Sequence, residues 1–262
     1  MNTRATTLLT LYGLAAATSL GYEAVWVKWL SLLLGMSLPS VGTTLAVFIL
    51  GICIGAALIA RFHPARRNVT RCFAGLQLFL GVWSIALPWL FSLVDAAYSN
   101  LAPAQQVFGH HALRAAVAAV VLLPPAMTMG AVFPLISALG VRRTYAVGMV
   151  GSVAGAVGAT VLLLPRLGLS GSLWLLGGVN LAVAAAALFV RMPDGEESLH
   201  ADVSDRDKRD ARRAALSVGL LGLALFAAQT VWFKLAWLVL DATFYAEGMV
   251  IGAVLATMSA GK

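Results

Sequence analysis

Gly13 to Gly35 reads GLAAATSLGYEAVWVKWLSLLLG, an apolar stretch in which Glu23 and Lys28 are the only ionisable side chains. An α-helix of about twenty residues crosses the roughly 30 Å of hydrocarbon in a bilayer. In lipid an unpaired backbone group costs several kcal/mol, so a segment of this kind must be helical. The pattern recurs along the chain, giving spans at 7–33, 41–60, 72–97, 113–139, 144–164, 170–190, 215–239 and 243–260. Of the 262 residues, 60% are hydrophobic and 11% charged, whereas a soluble domain carries about 25% charged residues. The sequence therefore predicts an all-α fold, a polytopic transmembrane helix bundle, and excludes a water-soluble one.

The net charge of +7 does not point to nucleic acid, because the basic residues collect in the short connections between spans. Arg61, Arg66, Arg67 and Arg71 separate the second and third spans, and Arg142 and Arg143 the fourth and fifth. The alternate connections, Gly35 to Ser40 and Ser99 to His111, hold no lysine or arginine. Cytoplasmic loops are enriched in these residues, so the pattern predicts a multi-pass protein of a bacterial inner membrane with a cytoplasmic N-terminus. One hydrophilic stretch, 191–213, mixes Asp194, Glu196 and Asp210 with Lys208, Arg209 and Arg212. It reads as a charged cytoplasmic linker between a six-span bundle, 1–190, and a further pair of spans, 214–262.

That pair repeats the opening of the chain. GLLGLALFAAQTVWFKLAWLVLD from Gly219 aligns with the stretch from Gly13, matching Val25, Trp26 and Lys28 to Val231, Trp232 and Lys234. Gly42 then meets Gly248, and Gly55 meets Gly261. Six spans, an even number, separate the copies, so both enter the membrane in the same direction. This is the parallel-repeat, MFS-like plan of twelve-span transporters, here a six-span unit plus the first two spans of a second repeat. Lys262 aligns with Ala56, inside the second span of the first copy, so the sequence predicts a second copy that is cut short.

No catalytic constellation, metal cluster or cofactor loop stands out, and none is expected. An ionisable side chain inside a span is a functional candidate, because exposing it to lipid is costly. Glu23 is short and must face the bundle interior. Lys28, with Trp26 and Trp29 beside it, reads as a lysine reaching the interface within an aromatic belt, or as a second contact. Five residues apart on a helix, the two do not stack as an i,i+4 pair. Gln77 and Asn180 are amides inside spans, suited to bonding between helices or to a solute. Pro124 and Pro125 in LLPPAMTMGAVFP each remove a helical hydrogen bond, and the fourth span is expected to be kinked or interrupted there. Gly148, Gly151, Gly155 and Gly158 in GMVGSVAGAVGA are expected to let a neighbouring helix approach closely. Cys53 and Cys72 lack metal or redox spacing.

Three ordered motifs carry a resemblance. They are Tyr22, Glu23, Trp26 and Lys28 in the first span; Leu123, Pro124, Pro125, Met129 and Gly130 in the fourth; and Tyr145, Ala146, Gly151, Gly155, Leu163, Leu164, Pro165 and Gly168 in the fifth. In these the sequence resembles the membrane domain of the membrane-bound spermidine synthase-like proteins, fusions of a transporter-like bundle to a spermidine synthase. The resemblance implies polyamine-related biology, with Tyr22, Glu23, Lys28, Gln77, Pro124, Pro125 and Asn180 as candidate contacts of a polyamine or other small cation. It also implies a soluble aminopropyl-transferase as a fused or separate partner, alongside the lipid bilayer. The bundle would then either transport, or anchor such an enzyme without transporting. Gln77 and Gln229 stand where such proteins are expected to carry glutamates, which leaves Glu23 as the anionic contact.

Overall fold

The computed structural model describes residues 3–34, 38–62, 64, 68–101, 107–137 and 143–190, together with Ala228, Val231 and Leu235. The helices are α1 (Thr3–Leu34), α2 (Leu38–Phe62), α3 (Val69–Leu101), α4 (Val107–Ser137), α5 (Thr144–Gly158) and α6 (Leu164–Phe189). A π-helical turn, Ala159–Leu163, joins the last two, and there is no strand among the described residues. The stretch 191–213, expected as a linker, and, apart from the three helical residues just named, 214–262, expected as the start of a second repeat, lie outside the described residues.

Four stretches are long and apolar enough to cross a membrane: Gly42–Phe62, Val69–Ala97, Ala115–Ser137 and Thr144–Phe189. Their outer faces carry bare apolar side chains such as Leu50, Leu93, Val150 and Phe189, as a lipid-facing surface does. α1 is not among the four. Thr10, Thr18, Ser19, Glu23 and Lys28 dilute its apolar character, and most of Leu8 to Leu34 is covered by neighbouring helices rather than bare.

α1 lies against α5 and α6, while α2 pairs with α4 and α3 with α6. The direction of each neighbour follows from which residues meet. A Cβ on Gly151 would strike the Gly13 carbonyl, one on Gly155 the Ala17 carbonyl, and one on Gly21 would lie 3.7 Å from Ala159. Numbers rise together, so α1 and α5 run parallel. Thr18 meets Asn180 while Gly21 meets Leu176, so α6 runs the other way. The continuous stretch 144–189 therefore folds back on itself.

The reversal falls at Gly168, whose φ of 67° and ψ of −170° belong to a region that only glycine occupies readily. Just before it, Pro165 has no N–H and its ring crowds the carbonyl four residues back. The helix responds by widening: Leu164 N–H bonds Ala159 O, a five-residue step. The Thr160 hydroxyl, 2.8 Å from Ala156 O, supplements the backbone there.

The expected interruption of the fourth span does not occur. α4 runs helical from Val107 to Ser137 through Pro124, Pro125 and Pro134. Its bonding losses are local, and packing holds it. Gly130 abuts the backbone of Ile52 and Gly55 that of Met127, so no Cβ fits at either position without displacing main chain. The carbonyls that lose a donor are those of Val120, Val121 and Gly130, four residues before each proline.

Two apolar clusters fill the interior. One gathers Leu8, Tyr12, Phe73, Ile136 and Val183, the other Trp26, Leu30, Phe48, Phe91 and Leu173. On α1 the join between them falls between Ala15 and Tyr22, and on α6 between Leu176 and Val183. Buried polar side chains occupy that level.

Candidate functional site

Thr18 and Asn180 sit at the join, near the middle of α1 and of α6, and both are buried. The Thr18 hydroxyl lies 2.6 Å from Asn180 Oδ1 and also 2.9 Å from the Ala15 carbonyl. Asn180 Nδ2 donates to Tyr22 Oη at 3.1 Å. Tyr22 has Ser84 as its second side-chain partner, and the Ser84 hydroxyl donates to the Leu173 carbonyl at 2.8 Å. The result is a buried polar chain, Thr18 to Asn180 to Tyr22, with Ser84 beside it bonded to the Leu173 carbonyl, joining α1, α3 and α6.

The helices hold these side chains in place for identifiable reasons. Tyr22 is fixed by its ring, stacked on Trp26 at 5.3 Å with 6° between planes, and Trp26 meets Phe48 edge-on. Ser84 reaches α6 because the two backbones nearly touch: a Cβ on Gly177 would sit 3.0 Å from the Gly81 carbonyl and 3.4 Å from Ser84.

Glu23, the next residue along from Tyr22, is 7% exposed. Among the described residues it is the only buried carboxylate. Lys28 is half-buried. The aromatic belt expected around it does not form in that way. Trp26 is buried against Tyr22, and Trp29 stacks on Phe91 at 4.1 Å. Among the described residues the exposed indoles are instead Trp89 and Trp174, 6.3 Å apart on α3 and α6.

The structure thus brings Tyr22 and Asn180 together, with Glu23 beside them in the chain. Gln77 is wholly buried in α3, and neither of its side-chain polar atoms has a partner among the described residues. Pro124 and Pro125 lie in α4 and take no part in the hydrogen-bonded chain. Gly148, Gly151 and Gly155 press on Tyr12, Gly13 and Ala17 of α1, whereas Gly158 faces open space, with nothing within 4 Å of a Cβ there. Gln229, Trp232 and Lys234 lie outside the described residues.

Thr18 and Ser84 are the members that the sequence does not single out. The usable signal is their spacing, Thr18 one turn before Tyr22 and Ser84 two turns after Gln77.

No family model, no curated protein and no solved structure matches this chain. What fold and site define is a class: an all-helical protein with four apolar stretches of membrane-spanning length and a polar chain buried in its interior.

Proposed function

We propose that the chain is a transporter-like membrane bundle that handles a small amine cation, a polyamine being the type case, with Glu23 as its anionic contact. The observation that carries this reading is Glu23 itself, a buried carboxylate beside the residue that anchors the polar chain. An ammonium group needs a counter-charge to leave water, and a buried carboxylate can supply one. In this reading the helices form a six-span, MFS-like unit in a bacterial inner membrane, N-terminus inside, with 214–262 opening a second parallel repeat. The opposite directions of α5 and α6 against α1 fit that plan. The resemblance to the membrane domain of spermidine synthase-like proteins points to the same solute class.

Uptake into proteoliposomes tests it. Saturable accumulation of putrescine or spermidine is expected, and Glu23→Gln is expected to abolish the saturable component while leaving the protein folded. Absence of flux, with a soluble aminopropyl-transferase still recruited to the vesicles, would replace transport with the anchoring role.

A further inference from the structure

Gln77 is wholly buried, and neither end of its side-chain amide has a partner among the described residues. A primary amide offers two N–H donors and two lone pairs. Buried polar groups in native proteins are overwhelmingly paired, so an orphan of this size calls for a bound molecule or a functional reason.

The register of α3 against α6 shows what Gln77 faces. Gly81 abuts Gly177, and the Ser84 hydroxyl donates to the Leu173 carbonyl, so numbers rise along one helix as they fall along the other. Seven residues return an α-helix to within about 20° and advance it about 10 Å. Seven residues back from Ser84 is Gln77, and seven residues on from Leu173 is Asn180. The two amides therefore stand level on adjoining helices. Ser84 also meets Tyr22 of α1, so the line it shares with Gln77 looks into the angle between α1 and α6, where the Asn180 side chain bonds Thr18 and Tyr22. Those two bonds use one N–H and one lone pair of Asn180, and its amide has a second of each. On α3 the join between the two apolar clusters falls between Ala74 and Leu87, the stretch that holds both Gln77 and Ser84.

Two facing amides that do not bond one another need a go-between that both donates and accepts. It must be uncharged, because amides supply no counter-charge, and small enough for a packed interior. Water meets each condition, since a buried water typically makes about three hydrogen bonds to groups otherwise left unpaired. Such a bridge is nearly as favourable as a direct bond.

We propose that Gln77 and Asn180 hold a water molecule between them, extending the chain of Thr18, Asn180 and Tyr22 to α3 as one polar layer between the two apolar clusters. A bond through water tolerates a small slide of α3 on α6 that a direct amide pair would not. The water site stands whether or not the bundle carries an amine.

NMR of the full chain in lipid nanodiscs, isotope-labelled only at its glutamine side chains, tests this. The chain has four glutamines, Gln77, Gln105, Gln106 and Gln229. Gln77→Leu, or Gln77→Met where the leucine variant does not fold, identifies the signal of Gln77 by its loss. Direct cross-relaxation between the Gln77 amide hydrogens and a long-lived water is expected. Contacts to protein hydrogens alone would show that the amide is enclosed without water and overturn the assignment. A double-variant cycle tests the bridge itself. Gln77→Leu and Asn180→Leu each break it, so the folding equilibrium constant of the double variant is expected to exceed the value for independent losses by about fivefold, the worth of one hydrogen-bonded group. Independent losses would overturn the bridge.

Discussion

Asn180 donates its side-chain amide to the Tyr22 hydroxyl at 3.1 Å while its carbonyl oxygen accepts from Thr18 at 2.6 Å, so one residue of α6 holds two successive turns of α1. Replacing it with an apolar side chain removes both bonds between the helices and leaves Thr18 with only its bond to the Ala15 carbonyl. Hydrogen bonds between membrane helices average about 0.6 kcal/mol and reach about 1.7. Asn180→Leu is therefore expected to lower stability by about 1–2 kcal/mol, measured by reversible unfolding in mixed micelles. A variant as stable as the parent would mean that the chain is not an energetic tie.

The seam between α1 and α5 gives a paired test on neighbouring glycines. Gly155→Ala forces a Cβ into the Ala17 carbonyl, and overpacking of this kind typically costs about 1–3 kcal/mol. Gly158→Ala meets nothing within 4 Å, and a helical glycine replaced by alanine gains up to about 1 kcal/mol. The two substitutions should shift the unfolding midpoint in opposite directions, and shifts of the same sign would contradict this packing.

Gly168→Ala tests the reversal. The site has open space around a Cβ, so any penalty comes from the backbone, where a φ of 67° with an extended ψ costs a non-glycine residue about 1–3 kcal/mol. The loss should appear in unfolding measurements, and a neutral outcome would mean that the chain turns elsewhere.

Sidedness is accessible through exposed arginines. With Cys53 and Cys72 replaced by serine, a single cysteine at Arg71 or Arg143 should react with an impermeant maleimide from one face of the membrane. A cysteine at Arg166 should react only from the other. Labelling of all three from one face would break the proposed topology.

The helices were legible because apolar length has one meaning in lipid: the spans expected at 41–60 and 72–97 fall within α2 and α3. The partners of Asn180 were not. Hydroxyls in membrane helices commonly bond their own backbone, as Thr10, Ser92 and Ser137 do here with the carbonyls four residues back. Residue type does not separate those from Thr18 and Ser84, which reach across to other helices; only spacing from Tyr22 and Gln77 does. Of the kink or interruption expected at the prolines of the fourth span, the interruption does not occur. A proline deletes one bond that packing can compensate, as in α4, whereas reversing the chain needs a backbone conformation that Gly168 alone supplies.

The widened turn at Ala159–Leu163 also limits how the bundle can move. A π turn accommodates one residue more than an α turn, and tightening it to α geometry would rotate everything on its N-terminal side by about 100°. Gly148, Gly151 and Gly155 would then swing off the ridge of α1 against which they rest. Winding at one end of α5 and grip along its length are thus geared together, and the helix cannot change one while keeping the other.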